Sequence, residues 1–240
     1  MGSMLSFFGR QLFITPQSAD PRKYSLKGQC GLVTGSNVGL GSEAAKQLLG
    51  LGLSKLILAV RNQERGETAR RKLAVEYPNA EILIWIVDMA SYESIKAFVA
   101  QCETLPRLDF AILNAGVVHF AYGTNKFTGH EDTIQVNVLS TALLASLLLP
   151  VLATKRPAGP GKVTIVGSEV AEWTKFKQKS KTPILPQLDV EKTYDGGDQY
   201  YVSKLLLQYF LIEASKRIDP NKVVLNLVNP GFCYGSVSWE

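Results

Sequence analysis

The stretch Thr34-Gly35-Ser36-Asn37-Val38-Gly39-Leu40-Gly41 decides the fold of this 240-residue chain. It follows a short apolar run, Cys30-Gly-Leu-Val-Thr, and precedes a helical stripe of apolar residues between Ser42 and Leu51. Glycines at these places let the backbone turn tightly and approach a pyrophosphate, and the following helix offers its N-terminal N–H groups to the phosphate. The pattern predicts a phosphate-binding strand–turn–helix unit, although a glycine cluster alone also fits a plain loop.

Strand-like and helix-like stretches alternate along the rest of the chain. The predicted strands are 30–34, 55–60, 82–87, 109–113, 163–166 and 223–228, and the predicted helices are 42–51, 64–77, 91–102, 130–153 and 199–217. Apolar runs buried on both sides, alternating with helices, predict a parallel sheet in a doubly wound α/β fold. We expect an N-terminal arm (1–27) and one domain (28–240), with a polar segment at 169–198 that we call the insertion.

Composition excludes several classes of function. The chain has 26 Lys+Arg and 21 Asp+Glu, a net charge of +5 without a basic cluster, so we expect no nucleic-acid partner. Three cysteines and two histidines are too few and too scattered for a disulfide framework or a metal centre. These features predict a metal-free protein of a reducing compartment, the cytoplasm.

Two apolar segments raise the question of a membrane. The strongly apolar part of the longest uncharged run, 139–153, is 15 residues long, which is short of a bilayer span and predicts a buried core helix instead. Near the N-terminus, the apolar residues of the arm fit either packing on the domain, which we favour, or a peripheral membrane contact. They are Phe7, Phe8, Leu12, Phe13 and Ile14.

Further motifs follow the glycine-rich turn in a fixed order. They are Asp88 after the third strand, Asn114-Ala115-Gly116 at the end of the fourth, Val136-Asn137 in the long helix, Ser168 at the end of the fifth strand, Tyr200-x₃-Lys204 in the last helix and Asn229-Pro230-Gly231 after the sixth strand. This series, over residues 28–231, resembles the short-chain dehydrogenase/reductase superfamily. Ala59-Val60-Arg61-Asn62, Thr128-Gly129-His130-Glu131 and the long insertion are most similar to its retinol-dehydrogenase-like branch, which has many fungal members.

The resemblance implies a Rossmann-type sheet of order 3-2-1-4-5-6 and a nicotinamide cofactor. It places the cofactor against Gly35, Ser36, Asn37, Gly39, Leu40, Gly41, Arg61, Asp88, Asn114, Ala115, Gly116, Tyr200, Lys204, Pro230 and Gly231. It also implies a catalytic set of Asn137, Ser168, Tyr200 and Lys204.

The residue types of this catalytic set suit carbonyl chemistry. Tyr200 and Lys204 are four residues apart and share one helix face, so the ammonium would lower the phenol pKa from about 10. Ser168 would hydrogen-bond the substrate oxygen, and Asn137 would hold its helix open around a water that passes protons toward Lys204. Tyr201, three residues from Lys204, is the rival for the register.

The residue after the second strand indicates which cofactor is used. NAD-specific sheets usually place an acid there for the ribose 2′-hydroxyl, but here the sequence reads Val60-Arg61-Asn62, with no acid before Glu64. Arg61 can pair with a 2′-phosphate, with Arg65 as a helper, although a solvated arginine at a helix start has the same sequence. We therefore expect NADP(H).

The C-terminal part departs from the family pattern. Residues 230–236 read Pro-Gly-Phe-Cys-Tyr-Gly-Ser, so Gly235 stands where the family has a threonine, with Ser236 one position late. Only residues 229–240 follow Val228, whereas the family continues through a helical region and a seventh strand. We therefore expect strand six to form an exposed edge, with three explanations open: truncation, a partner subunit that covers the gap, or weakened activity.

The sequence leaves the substrate and the assembly open. The apolar residues of the insertion would either wall a lipophilic pocket or belong to a surface loop, and they are Trp173, Phe176, Ile184, Leu185 and Leu188. The leading hypothesis is an NADP(H)-dependent enzyme that interconverts an alcohol and a ketone or aldehyde on a bulky apolar molecule. The alternatives are a cofactor-binding subunit without redox turnover and a cyclase or isomerase. The resemblance also implies a homodimer through helices near 139–153 and 202–211.

Overall fold

One parallel sheet of six strands organises the computed structural model, which describes residues 9, 11–15, 17–231 and 233. The strands are β1 (Cys30–Thr34), β2 (Lys55–Val60), β3 (Glu81–Ile86), β4 (Phe110–Leu113), β5 (Gly161–Val166) and β6 (Val223–Val228). The helices are α1 (Gly39–Gly50), α2 (Gln63–Glu76), α3 (Tyr92–Glu103), α4 (Asp132–Thr154), the single turn α5 (Leu185–Leu188) and α6 (Gly196–Ser215). The sheet order is β3-β2-β1-β4-β5-β6, which confirms the predicted topology.

The alternation of side chains along the strands divides the core into two layers. Leu56, Leu58 and Val60 of β2 pack under α1 and α2, whereas Ile57 and Ala59 join the larger layer beneath α3, α4 and α6. Both sets are at most 2% exposed, which is why the strands read as uninterrupted apolar runs. The doubly wound α/β prediction is therefore confirmed.

Local capping fixes where the helices begin. Ser91 Oγ accepts a hydrogen bond from Ser94 N–H and caps α3, as predicted. Asp195 Oδ1 accepts from Asp198 N–H, so α6 begins at Gly196, three residues before the predicted start. Tyr200 consequently lies in the second turn of α6 rather than at its opening.

The long helix α4 has nearly the predicted length but is less regular than predicted. It runs for 23 residues, and the segment Gln135–Ser140 is a π-helix. By length and composition α4 is the one helix of the described residues that could cross a membrane, which the predicted 15-residue apolar stretch understated. Half of its most apolar window is buried, and Leu144, Leu148 and Leu152 are fully covered against the sheet. The fold thus uses α4 as a core helix, which agrees with the predicted role.

The insertion packs on α4 and α6. Phe176 and Leu188 are buried in a cluster with Ile134, Val138 and Val202, separate from the core beneath the sheet. This cluster uses the apolar residues of the insertion for packing on helices, a role that neither of the two alternatives drawn from the sequence included. Thr174 Oγ1 and Lys175 N–H both donate to Asp198 Oδ1 and so tie the insertion to the first turn of α6.

Two predictions concern the ends of the chain. Within the described residues, β6 lies at the edge of the sheet and Val228 is 42% exposed, as expected of an edge strand. The predictions for Phe7, Phe8, Gly235 and Ser236 lie outside the described residues. Leu12, Phe13 and Ile14 of the arm are all exposed, so packing of these side chains on the domain, which the sequence analysis favoured, is not observed.

Candidate active site

The glycine-rich turn leaves no room for side chains at its bend. Gly35 and Gly39 have φ values of +63° and +56°, in the left-handed region that L-residues avoid. A Cβ at Gly41 would collide with the carbonyl oxygen of Gly35. The turn therefore depends on these glycines, and it presents bare backbone at the start of α1.

The start of α1 fits an anionic group. Its N-cap residue, Val38, provides no side-chain cap, and the first turn holds no acidic residue. Ser36 in the same turn is fully buried, and its hydroxyl has no hydrogen-bond partner among the described residues. Uncapped N–H groups, the positive end of the helix dipole and an unsatisfied hydroxyl together suit the phosphates of a dinucleotide.

Asn114, at the end of β4, holds the glycine-rich turn in place through hydrogen bonds. Its Nδ2 donates to the carbonyl oxygens of Thr34 and Gly35 at 3.0 and 3.2 Å. The Thr34 hydroxyl accepts the N–H groups of Asn114 and Ala115, each at 3.0 Å. These bonds lock the end of β1 to the end of β4 at the carboxyl edge of the sheet, where ligands bind in folds of this kind.

A groove of about 470 Å³ runs along this edge. Gly35, Asn37, Ala115 and Gly116 line it near the centre of the sheet, and it continues past Asp88 to Arg61 and Arg65. Asp88 also accepts the N–H of Ala90 through Oδ1 at 2.9 Å, so it lines the groove and holds the turn that leads into α3.

The far end of the groove carries two exposed arginines. Arg61 directly follows β2, and Asn62 accepts the N–H of Arg65 through Oδ1 and so caps α2. This cap sets both guanidinium groups beside the groove, where a phosphate on a ribose would meet two positive charges.

A smaller cavity of about 80 Å³ opens where β4, β5 and α6 meet. Ser168, Tyr200 and Lys204 line it together with Leu40, Pro230 and Gly231. Asn114, Gly116 and Val117 line both the cavity and the groove, so the two spaces are neighbours. The structure therefore brings the predicted serine, tyrosine and lysine together at one end of the predicted cofactor groove.

Burial dominates the electrostatics of this cavity. Lys204 is 6% exposed, donates from Nζ to the Val166 carbonyl at 3.0 Å, and has its pKa lowered to about 8 by burial. Burial raises the pKa of the Tyr200 phenol, and Tyr201 adds to that rise. This differs from the lowering by Lys204 expected from the sequence. The ammonium nitrogen lies 5.6 Å from the Tyr200 ring centroid, and no hydrogen bond between the two groups is seen among the described residues.

Asn137 lies beneath the cavity, in the π-helical part of α4. Its Oδ1 accepts the N–H of Val117 and its Nδ2 donates to the carbonyl of the same residue, both at 2.8 Å. Nδ2 also donates to Ser203 Oγ at 3.1 Å. The side chain therefore ties α4 to the segment after β4 and to α6. The π-helix at this position is wider than an α-helix, and it contains Asn137.

The neighbouring tyrosines Tyr200 and Tyr201 have different surroundings. Tyr201 packs edge-on against Trp173, with ring centroids 6.1 Å apart, whereas Tyr200 lines the cavity. Val117, Ser203 and Gln199 were not predicted as part of the site, because their roles arise from contacts between distant segments. Cys233, two residues after Gly231, also lines the cavity. No cluster of three metal-ligating side chains occurs in the part of the chain that the structure describes.

Taken together, the parallel sheet, the glycine-rich turn and the long groove define a Rossmann-type dinucleotide-binding protein. Comparison with known proteins agrees with this class. Residues 29–179 match the family profile described as short chain dehydrogenase.

Several fungal proteins are similar in sequence to most of this chain. The chain is 47% identical over 232 residues to short chain dehydrogenase/reductase mfmJ of Annulohypoxylon moriforme, a match that covers 96% of this chain and 67% of that protein. It is 43% identical to short chain dehydrogenase sol3 of Alternaria solani, with 97% and 81% covered. The chain therefore belongs to the short chain dehydrogenase family and is an oxidoreductase by class.

Solved structures share the fold. The oxidoreductase yciK of Escherichia coli superimposes with a TM-score of 0.65 at 21% identity, over 92% of this chain and 80% of that one. The Pseudomonas aeruginosa RhlG/NADP active-site complex gives a TM-score of 0.65 at 24% identity, over 86% and 72%. Both likenesses support the Rossmann-type architecture.

Proposed function

We propose that this protein is an NADP(H)-dependent oxidoreductase that interconverts an alcohol and a ketone or aldehyde on a bulky apolar molecule. The observation that carries the proposal is the cavity that Ser168, Tyr200 and Lys204 line together at the end of the dinucleotide groove. This cavity supports a site in which an acid, a cation and a hydroxyl donor would meet the reactive end of a bound dinucleotide.

The groove supports NADP(H) as the cofactor. The uncapped start of α1 and the buried Ser36 hydroxyl would hold the pyrophosphate, and Asp88 would face the adenosine. Arg61 and Arg65 would pair with the 2′-phosphate that distinguishes NADPH from NADH. The solved Shigella flexneri and Escherichia coli relatives with a TM-score of 0.64 are complexes with NADP and NADPH, which is consistent with this choice.

Each polar group of the cavity has a task in carbonyl reduction. When bound, NADPH supplies a hydride to the carbonyl carbon. Tyr200 donates its phenolic proton to the carbonyl oxygen, and its raised pKa keeps that proton in place at neutral pH. Ser168 stabilises the negative charge that develops on the same oxygen. Lys204 supplies the positive charge beside the phenol and, as the family resemblance implies, holds the ribose hydroxyls. Asn137 relays protons toward Lys204 through a water.

The apolar part of the cavity wall supports an apolar substrate. Leu40, Val117 and Val166 line it beside the polar groups. Apolar walls around a few convergent polar groups are typical of small-molecule sites.

We also propose a homodimer through α4 and α6. The insertion covers Ile134, Val138 and Val202 near the starts of these helices. Tyr209 and Ile212, farther along α6, are about half exposed and form the surface left for a second copy.

Turnover of NADPH with a panel of lipophilic ketones and aldehydes tests the function. Tyr200→Phe should abolish reduction while NADPH binding, followed by fluorescence, stays nearly intact, because only the phenolic proton is removed. Tyr201→Phe is the matched control and should keep activity, since that side chain packs on Trp173. Wild-type activity in Tyr200→Phe would show that the register and the mechanism are wrong.

A further inference from the structure

A buried polar junction joins the starts of α4 and α6 to the insertion. It consists of Glu131, Asp189 and Gln199. The Gln199 amide donates through Nε2 to Glu131 Oε2 at 3.0 Å and to the Leu188 carbonyl at 2.9 Å. Asp189 Oδ1 accepts the N–H of Glu131 at 2.8 Å. One amide side chain therefore connects three separate parts of the chain.

Glu131 is the electrostatic centre of the junction. It is fully buried, and its two carboxylate oxygens accept the N–H groups of Thr133 and Ile134, at 2.9 and 3.0 Å, as the N-cap of α4. A buried carboxylate is costly unless charge-assisted hydrogen bonds offset the desolvation. The helix N–H groups and the Gln199 amide supply such bonds, and Gln199 is the donor that comes from α6.

The junction continues a row of contacts along α6. Gln199 and Ser203 are four residues apart and share the face of α6 that meets α4, where they contact Glu131 and Asn137. Tyr200 and Lys204 occupy the adjacent face by the same spacing and line the cavity. Because consecutive helical residues are about 100° apart, the two contacts with α4 set the rotation of α6 and with it the direction of the phenol.

We propose that Gln199 is a positioning residue: through Glu131 it fixes the rotation of α6 that aims Tyr200 and Lys204 into the cavity. This inference rests on the proposed function for its catalytic consequence. Its structural part, the order of the first two turns of α6, is separate and can be measured in a protein that turns nothing over.

The substitution Gln199→Glu tests the proposal by replacing the donor with a second carboxylate. At about pH 8 two buried carboxylates would face each other, and at about pH 6 one shared proton would restore a hydrogen bond, because like charges raise the pKa of such a pair. We expect kcat to fall about tenfold or more at the higher pH, since small misplacements of reacting groups carry large rate costs. Relative to wild type, kcat should largely recover at the lower pH.

Two controls isolate this effect. Gln199→Met has no titratable group and should lose kcat at both pH values without recovery. Gln101→Glu makes the same chemical change at an exposed position on α3 and should behave as wild type. Other titratable groups face the junction, namely Asp189, His130 (Nδ1 to Asp189 Oδ2, 2.8 Å) and Tyr194, so every variant is compared with wild type at the same pH.

Hydrogen–deuterium exchange over residues 196–204 gives the readout that needs no turnover. In Gln199→Glu the amides of this segment should exchange faster at about pH 8 and regain wild-type protection at about pH 6. If the wild type reduces no carbonyl but this pattern appears, the proposed function fails and the positioning role stands. Wild-type exchange and kcat in both Gln199 variants would overturn the inference. So would losses in Gln199→Glu that are equal at both pH values and match a global fall in melting temperature.

Discussion

Lys204→Met should make the protein more stable at neutral pH while it weakens NADPH binding and carbonyl reduction. Burial lowers the pKa of Lys204 from 10.5 to about 8, so at pH 7 the folded state holds a charge that the unfolded chain carries more easily. A pKa shift of this size lowers the free energy of unfolding of the wild type by about 3 kcal/mol at pH 7. In the Lys204→Met variant, loss of the hydrogen bond to the Val166 carbonyl cancels about 1–2 kcal/mol of this gain in stability. The expected net gain is about 1–2 kcal/mol, or roughly 2–8 °C in melting temperature.

The stability difference between Lys204→Met and the wild type should depend on pH. Between about pH 8 and pH 10.5 the unfolded state binds more protons at Lys204 than the folded state does, so the free energy of unfolding of the wild type should rise with pH. The advantage of Lys204→Met should be full below pH 8 and should shrink through this window. Denaturant unfolding at a series of pH values measures it, with Lys96→Met at an exposed position of α3 as the control.

Lys204→Met could instead be less stable than wild type at pH 7, with a difference in the free energy of unfolding that stays constant up to pH 10. Such a result would refute the destabilising effect of the buried charge. That result would mean that packing and the hydrogen bond to Val166 outweigh the buried charge. Retained NADPH affinity in the variant would separately contradict the proposed contact of Lys204 with the cofactor.

Two further predictions concern the cofactor and the assembly. Calorimetry should show tighter binding of NADPH than of NADH. Arg61→Ala should remove most of this difference in affinity, about ten- to a hundredfold, because a charge-assisted pair is worth about 1.5–3 kcal/mol. The control Arg71→Ala, at an exposed position on α2, should have no effect on either affinity. Equal affinities in the wild type would contradict the role of Arg61. Light scattering at micromolar concentration should give the mass of a dimer for the wild type and of a monomer for Ile212→Asp, since a buried charge would face the partner copy; a monomeric wild type would rule the homodimer out.

The position of Gln199 next to Tyr200 connects the stability of the fold to its chemistry. The same helix turn carries an amide that ties α6 to α4 and a phenol that lines the cavity. A site built on helices whose rotation is fixed by buried hydrogen bonds can hold reacting groups to the tolerance that catalysis needs. The inferred function and the inferred positioning role thus follow from one arrangement of α4 and α6.

The sequence by itself determined the class of fold. Apolar runs such as Lys55–Val60 and glycines at 35, 39 and 41 express local requirements, namely burial on both faces and a bend without side chains. Local requirements leave a pattern in neighbouring residues, so these residues predicted the parallel sheet and the tight glycine turn, whereas the order of the strands came from the family resemblance. The cap of Ser91 on Ser94 belongs to the same category.

Tertiary structure alone decided the surroundings of the site. Several features of the site were decided by contacts in the folded chain. They are the burial of Lys204, the π-helical segment around Asn137, the packing of the insertion and the contact between Glu131 and Gln199. The cost of burying a charge and the partner of a buried amide depend on what the folded chain brings beside them. The sequence therefore indicated Tyr200, Lys204 and Ser168, but only the fold set the direction of the pKa shifts of Tyr200 and Lys204 and the side chains around them.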